Sequence, residues 1–203
     1  MATLTSTLAF DADGVLVDSR AVAFKAAADI VGLFNDPAAI TTRDDYNAAF
    51  GAAAQKRLAG EDGPAYLRAL HRLLMRARAG QIGVFEECLA VVQKMNQRPL
   101  LITAAYAAGI RQALGDRANL FLDIHGRECG NKETLLQQAA DTGVKLYVTD
   151  TVRDITRCRA CGISIIAVTW GYDPACAIAD AKPDFIVEDA AALTRVLGRL
   201  SLL

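Results

Sequence analysis

The chain has 203 residues, with 22 Lys and Arg against 23 Asp and Glu for a formal net charge of −1. A balanced chain with no run of like charge carries neither a nucleic-acid nor a membrane footprint, so a small-molecule partner is expected, and no nucleic acid or membrane. The length suits one well-buried core with a small appendage.

No segment approaches the ~18 uninterrupted apolar residues that a spanning helix needs, and Met1 to Thr7 place no basic region ahead of an apolar stretch. A soluble, cytoplasmic protein is expected. Five cysteines, Cys88, Cys129, Cys158, Cys161 and Cys176, are odd in number and scattered over mainly apolar segments, which suits reduced thiols better than a disulfide framework. The lone Cys158-Arg-Ala-Cys161 falls inside a predicted helix and reads as packing.

A short apolar run from Leu4 to Phe10 predicts a strand. It leads into Phe10-Asp11-Ala12-Asp13-Gly14-Val15-Leu16-Val17-Asp18-Ser19. Ser19 is a plausible N-cap for an Ala-rich helix over Arg20 to Leu33, closed by Asn35-Asp36-Pro37. Further helical segments run from Arg43 to Leu58 and from Pro64 to Ala79, and Gly80 and Gly83 bracket a break. From Val84 the pattern changes, and helices alternate with short β-rich runs. Strands are predicted at Leu100 to Thr103, Leu120 to His125, Lys145 to Thr149, Ser164 to Val168 and Phe185 to Val187. The helices between and after them are Phe85 to Asn96, Ala107 to Leu114, Lys132 to Thr142, Arg153 to Ala160 and Ala190 to Leu200. This alternation predicts an α/β domain, a parallel sheet covered by helices on both faces, formed by residues 1–19 and 84–203. Residues 20–83 are an all-helical insertion after the first strand.

Asp11 and Asp13 stand two apart at the mouth of a buried strand. Their repulsion and loss of water call for a cation or a proton, and a hard divalent metal is the obvious candidate. Gly14 lets the backbone turn sharply just beyond them. Ligands of an open parallel sheet bind beyond the carboxyl ends of its strands, so the residues after each strand are the ones to weigh. Thr103 offers a hydroxyl to a phosphate oxygen. Lys132 opens a helix, where its charge offsets Asp11 and an anionic substrate, and it ranks above Lys94, Lys145 and Lys182. Asp150 ends a strand and Asp154 sits one helical turn on, so both can face one cation.

In this order the four stretches resemble the signatures of the haloacid dehalogenase superfamily, in its phosphoglycolate-phosphatase-like branch with a helical cap. They are Asp11-x-Asp13-Gly14, the strand ending in Thr103, Lys132, and Asp150-x-x-x-Asp154. Trp170-Gly171-Tyr172 and Pro183-Asp184-Phe185-Ile186-Val187 look like the same branch. Glu133 stands where Pro usually follows the Lys, and Thr149 replaces a usual Gly. The resemblance implies a Rossmann-like core with a cap over residues 20–83 that excludes water and reads the leaving group. It implies Asp11 as nucleophile, Asp13 as general acid and base, and Thr103 and Lys132 holding the phosphoryl oxygens. Mg²⁺ would be held by Asp11, the Asp13 backbone carbonyl and Asp150, with Asp154 directly or through water. The activity implied is hydrolysis of a small phosphorylated metabolite through an aspartyl-phosphate. A sugar-phosphate mutase, or a non-catalytic phosphate- or protein-binding module on the same scaffold, is the alternative. Dehalogenases of the superfamily lack an acid at the position of Asp13.

Overall fold

The structure, a computed structural model, describes residues 7–34 and 39–203. Its chain begins with strands β1 (Leu8–Phe10) and β2 (Val17–Asp18), followed by helices α1 (Arg20–Gly32), α2 (Arg43–Phe50), α3 (Ala52–Ala59) and α4 (Gly63–Ala77). Then come β3 (Gly83–Val84), α5 (Glu86–Gln93), β4 (Leu100–Ile102), α6 (Ala107–Leu114), β5 (Ile124–His125), α7 (Lys132–Asp141) and β6 (Leu146–Thr149). Helix α8 (Val152–Ala160), β7 (Ser164–Val168), α9 (Ala175–Asp180), β8 (Phe185–Val187) and α10 (Ala190–Arg199) complete it. The elements divide into two units, one formed by the residues up to Asp18 together with Gly83–Leu203, the other by Ser19–Ile82. No helix among the described residues is long and apolar enough to cross a membrane.

The first unit is built on six parallel strands in the order β5-β4-β1-β6-β7-β8. The chain steps outward from β1 through β4 to β5, then returns to the other side of β1 for β6, β7 and β8, so strand order reverses at β1. That is where an open α/β sheet forms its ligand crevice. The inner strands are apolar along their length because both faces are covered, as the buried Leu8, Ala9, Phe10, Leu101 and Ile102 show. On one face Tyr147 packs among Leu135, Leu136, Ile155 and Cys158. Its neighbour in register on β1 is Ala9, and beyond that small side chain the phenol donates to the Ile102 carbonyl of β4 at 2.8 Å.

A separate antiparallel pair joins β2 to β3, with Asp18 opposite Gly83, so the chain leaves this unit and re-enters it at one place. The second unit has its own aromatic cluster. Rings of Phe24, Tyr46, Phe50 and His71 pack with centroids 5.3 to 6.1 Å apart. His71 Nε2 lies 2.9 Å from the Ala23 carbonyl, and burial pushes its imidazole down, which keeps the ring neutral with Nε2 as donor. Thr42 and Asp45 form a reciprocal capping box at the start of α2.

Several boundaries differ from those expected. The helix predicted over Arg43 to Leu58 breaks at Gly51, whose backbone is extended and where a Cβ would overlap the Asn47 carbonyl. The strand predicted over Leu120 to His125 contracts to Ile124–His125, because Gly115–Leu120 winds into a 3-10 turn. The short β2, β3 and α9 were not expected; two to six residues give no periodicity to read. Asn35-Asp36-Pro37, and the part of the first strand run before Thr7, lie outside the described residues. All five cysteines are free thiols; Cys158 is buried and Cys161 partly so, in keeping with packing.

Candidate active site

The carboxyl ends of β1, β4 and β6 lie side by side, and they bring Asp11, Thr103 and Asp150 together. The Asp11 amide is fixed by the Val148 carbonyl of β6 at 2.8 Å. The chain then coils tightly, with the amides of Val15, Leu16 and Val17 all directed to the Ala12 carbonyl. Gly14 supplies the left-handed residue of that coil, at φ 77°. A side chain there would overlap the Asp150 carboxylate, and so would one at Gly171. Thr103, fully buried, donates its hydroxyl toward Asp13 Oδ2 at 3.3 Å and accepts from the Ala105 amide at 3.0 Å.

Lys132 is the first residue of α7, started by the Asn131 cap, and it is 6 % exposed, whereas Lys94, Lys145 and Lys182 are exposed. Its ammonium lies 2.5 Å from Asp11 Oδ2 and 2.5 Å from Asp154 Oδ2, and 5.6 Å from the centre of the Tyr147 ring. The other Asp11 oxygen accepts from the Ala12 amide at 2.8 Å. Asp154, in the first turn of α8, gives its second oxygen to Arg157 at 2.7 Å, and Arg157 in turn donates to Glu133 at 2.7 Å. The hydroxyl of Thr149 is 3.5 Å from Asp154 Oδ2, so the residue in place of the usual Gly joins the network. Asp150 accepts from the Tyr172 amide at 2.7 Å through Oδ2, while its buried Oδ1 has no hydrogen-bond partner among the described residues.

Burial raises the Asp11 carboxyl well above the usual range, against the pull of Lys132. Burial likewise lifts Asp150 to about 7, offset in part by the Tyr172 amide and Lys132. Asp154 is pushed up by burial too, but Lys132 and Arg157 outweigh that and hold it at about 2. Burial works against the Lys132 charge, yet Asp11 and Asp154 together raise its pKa, so it stays an ammonium.

Among the described residues no three His, Cys, Asp or Glu side chains converge as a metal-holding group. Asp154, expected as a ligand directly or through water, has both oxygens committed to Lys132 and Arg157, and the carboxyl of Asp13 faces Thr103. The fit of a hard cation rests on Asp150 and Asp11. A buried carboxylate oxygen with no donor is the kind of group that oxygen-seeking divalent ions satisfy.

Sequence reasoning missed Arg157, the pairing of Glu133, and the close approach of Gly171. Arg157 had a signal, since a cation three residues after an acid on a helix faces that acid. Gly171 had none, because its neighbour Asp150 comes from another strand end.

No protein-family model and no curated protein matches this chain. Solved structures do. A haloacid dehalogenase-like family hydrolase from Streptococcus pneumoniae superposes with a TM-score of 0.78 at 18 % identity, over 97 % of this chain and 98 % of that one. A predicted phosphoglycolate phosphatase from Haemophilus somnus gives a TM-score of 0.72 at 20 % identity, over 97 % and 99 %. A predicted phosphatase from Clostridium acetobutylicum gives 0.76 at 16 % identity, over 97 % and 100 %. With its reversal of strand order at β1 and its acids gathered there, this chain has the haloacid dehalogenase-like fold.

Proposed function

We propose that the chain is a phosphatase that hydrolyses a small phosphate monoester through an aspartyl-phosphate on Asp11. The observation that carries this reading is the buried Asp11 carboxylate at the reversal of strand order, touched by Lys132, with Asp13 two residues on and bonded to Thr103. An oxygen of Asp11 attacks phosphorus, the bond from phosphorus to the leaving oxygen breaks, and Asp13 gives that oxygen its proton. Asp13 then takes a proton from water, which attacks the same phosphorus and cleaves its bond to Asp11. Inorganic phosphate leaves and the carboxylate is restored. Lys132 and Thr103 hold the phosphoryl oxygens during both steps. Asp11, Asp150 and the Asp13 backbone carbonyl would hold Mg²⁺, which when bound supplies positive charge to the transferring phosphoryl group.

Phosphate release from a panel of monoesters, with Mg²⁺ and with chelator, tests the reading. Wild type should turn over at least one ester only with the metal. Asp11→Asn keeps the size of the side chain but loses its anionic oxygen, so turnover should fall by about 10⁴-fold or more while ester binding largely survives. Asp13→Asn should be slowed by about 10²–10⁴-fold, less for esters whose leaving group needs no proton. A wild type that binds these esters and hydrolyses none, with Asp11→Asn binding them equally well, would replace the phosphatase with a binding module.

A further inference from the structure

Lys132 lies between two carboxylates, and the flexible stem of a lysine does not by itself decide which one it favours. What fixes it is the orientation of Asp154. That carboxylate is held at both ends, by Lys132 at Oδ2 and by Arg157 at Oδ1. Arg157 is held in turn from the far side, with Nε 2.7 Å and a terminal nitrogen 2.5 Å from Glu133 Oε1. The charges therefore alternate from the surface inward: Glu133, Arg157, Asp154, Lys132, Asp11. Exposure falls along the same path, with the side chain of Glu133 56 % exposed, Arg157 16 %, and Asp154, Lys132 and Asp11 between 4 and 7 %.

The sequence placement makes this a closed clamp. Lys132 and Glu133 are consecutive at the start of α7, and Asp154 and Arg157 are three apart on α8. The first turn of α7 is thus joined to α8 by two ion pairs of opposite sense, Lys132 to Asp154 in the first turn of α8 and Glu133 to Arg157 one turn further on. A guanidinium bridges two carboxylates with donors that point in fixed, different directions, whereas the donors of an ammonium rotate at the end of a flexible stem.

We infer that Arg157, anchored by Glu133, is a positioning residue that divides Lys132 between Asp11 and Asp154. Without Arg157 the terminal torsion of Asp154 is free to turn, since carboxylate torsions are broad. Lys132 then settles on Asp11. Its 2.5 Å bond to Asp11 Oδ2 is then the one that holds it, and the ammonium is drawn from between the two carboxylates and away from the phosphoryl oxygens. This inference rests on the phosphatase reading for its kinetic consequence and on the coordinates for its geometric one.

The experiment compares wild type with Arg157→Gln, Arg157→Lys, Glu133→Gln and the Arg157→Gln/Glu133→Gln double variant, using the best ester of the panel with Mg²⁺. Acid-quench trapping of phosphorylated Asp11 counts active sites and gives the rate per site. Arg157→Gln should lower kcat per active site by about 10- to 100-fold with KM within about threefold, the size of loss that a displacement of about 1 Å produces at a reacting centre. Arg157→Lys should fall between Arg157→Gln and wild type. Glu133→Gln, on the exposed side of the clamp and expected to fold even if Arg157→Gln does not, should cost about threefold alone and nothing further on the Arg157→Gln background. A crystal structure of Arg157→Gln should show Lys132 moved off Asp154 and held by Asp11 alone. Loss of folded protein with an unchanged rate per active site would overturn the inference, as would independent effects of Glu133→Gln and Arg157→Gln. If wild type hydrolyses none of the esters the phosphatase reading fails, and the crystal structure still decides the clamp: Lys132 found between the two carboxylates, as in wild type, would overturn it.

Discussion

Asp150 is wholly buried, with one oxygen on the Tyr172 amide and the other without a partner among the described residues, and burial lifts it from its usual 3.8 to about 7. An acid whose folded pKa is raised keeps its proton in the folded state after the unfolded chain has lost it. Its stabilising contribution is therefore full below about pH 4 and is lost as the pH rises from about 4 to about 7. Asp154, held at about 2, has the opposite sign; it stabilises above about pH 4 and loses that contribution as the pH falls toward 2. Chemical denaturation in chelator should find the protein less stable at pH 8 than at pH 5. Asp150→Asn should make that difference smaller and raise stability at pH 8, because the amide takes up the same buried space without the charge that burial penalises. Added Mg²⁺ should stabilise wild type by ligand linkage and leave Asp150→Asn little changed. An unchanged pH slope in Asp150→Asn would remove Asp150 as its source.

At the scale of elements, β6 does more than end in Asp150. Its Tyr147 reaches beyond Ala9 of β1 to the Ile102 carbonyl of β4, and its ring lies under the Lys132 ammonium. Tyr147→Phe keeps the ring and removes one buried hydrogen bond, so it should cost about 1 kcal/mol in denaturant unfolding while Lys132 keeps its place and turnover changes little. A loss of activity out of proportion to stability would mean that the hydroxyl also acts on the site. The same strand shows what a sequence can disclose. The run from Leu146 to Thr149 was legible because a buried parallel strand is uniformly apolar, and Asp150 was legible because a carboxylate at the end of such a strand is out of place unless it has work there. Thr103 and Asp11 followed from the same logic, and Lys132 from its place at the start of a helix, where its charge can offset nearby acids. Partnerships made across elements were not legible: the Arg157 and Glu133 pairing, the Gly171 approach, and Tyr147 with Ile102. Each joins residues at least 21 apart in sequence. The break at Gly51 escaped for another reason. Helix-favouring residues on both sides mask a single residue whose extended backbone separates α2 from α3.

For the whole molecule, the decisive feature is how the helical unit is attached. It enters and leaves through β2 and β3, an antiparallel pair with Val17 opposite Val84 and Asp18 opposite Gly83. Paired residues in an antiparallel ladder lie about 4.5–5.5 Å apart, a gap that a two-residue turn closes. Replacing residues 19–82 by Asn-Gly should therefore turn β2 and β3 into a hairpin and leave the six-stranded sheet with its own core. The single tryptophan offers a local reporter, because Trp170 donates to the Val15 carbonyl at 3.4 Å and packs against Phe85, both in the retained unit. The shortened chain should keep the Trp170 emission maximum and near-UV dichroism of the full protein and unfold in one cooperative transition. It should also retain the Mg²⁺-dependent stabilisation, since Asp11 and Asp150 both remain. A product with helical far-UV signal, no near-UV signal and dye-binding apolar surface would be a molten globule, and would show that the α/β unit needs residues 19–82 to complete its packing.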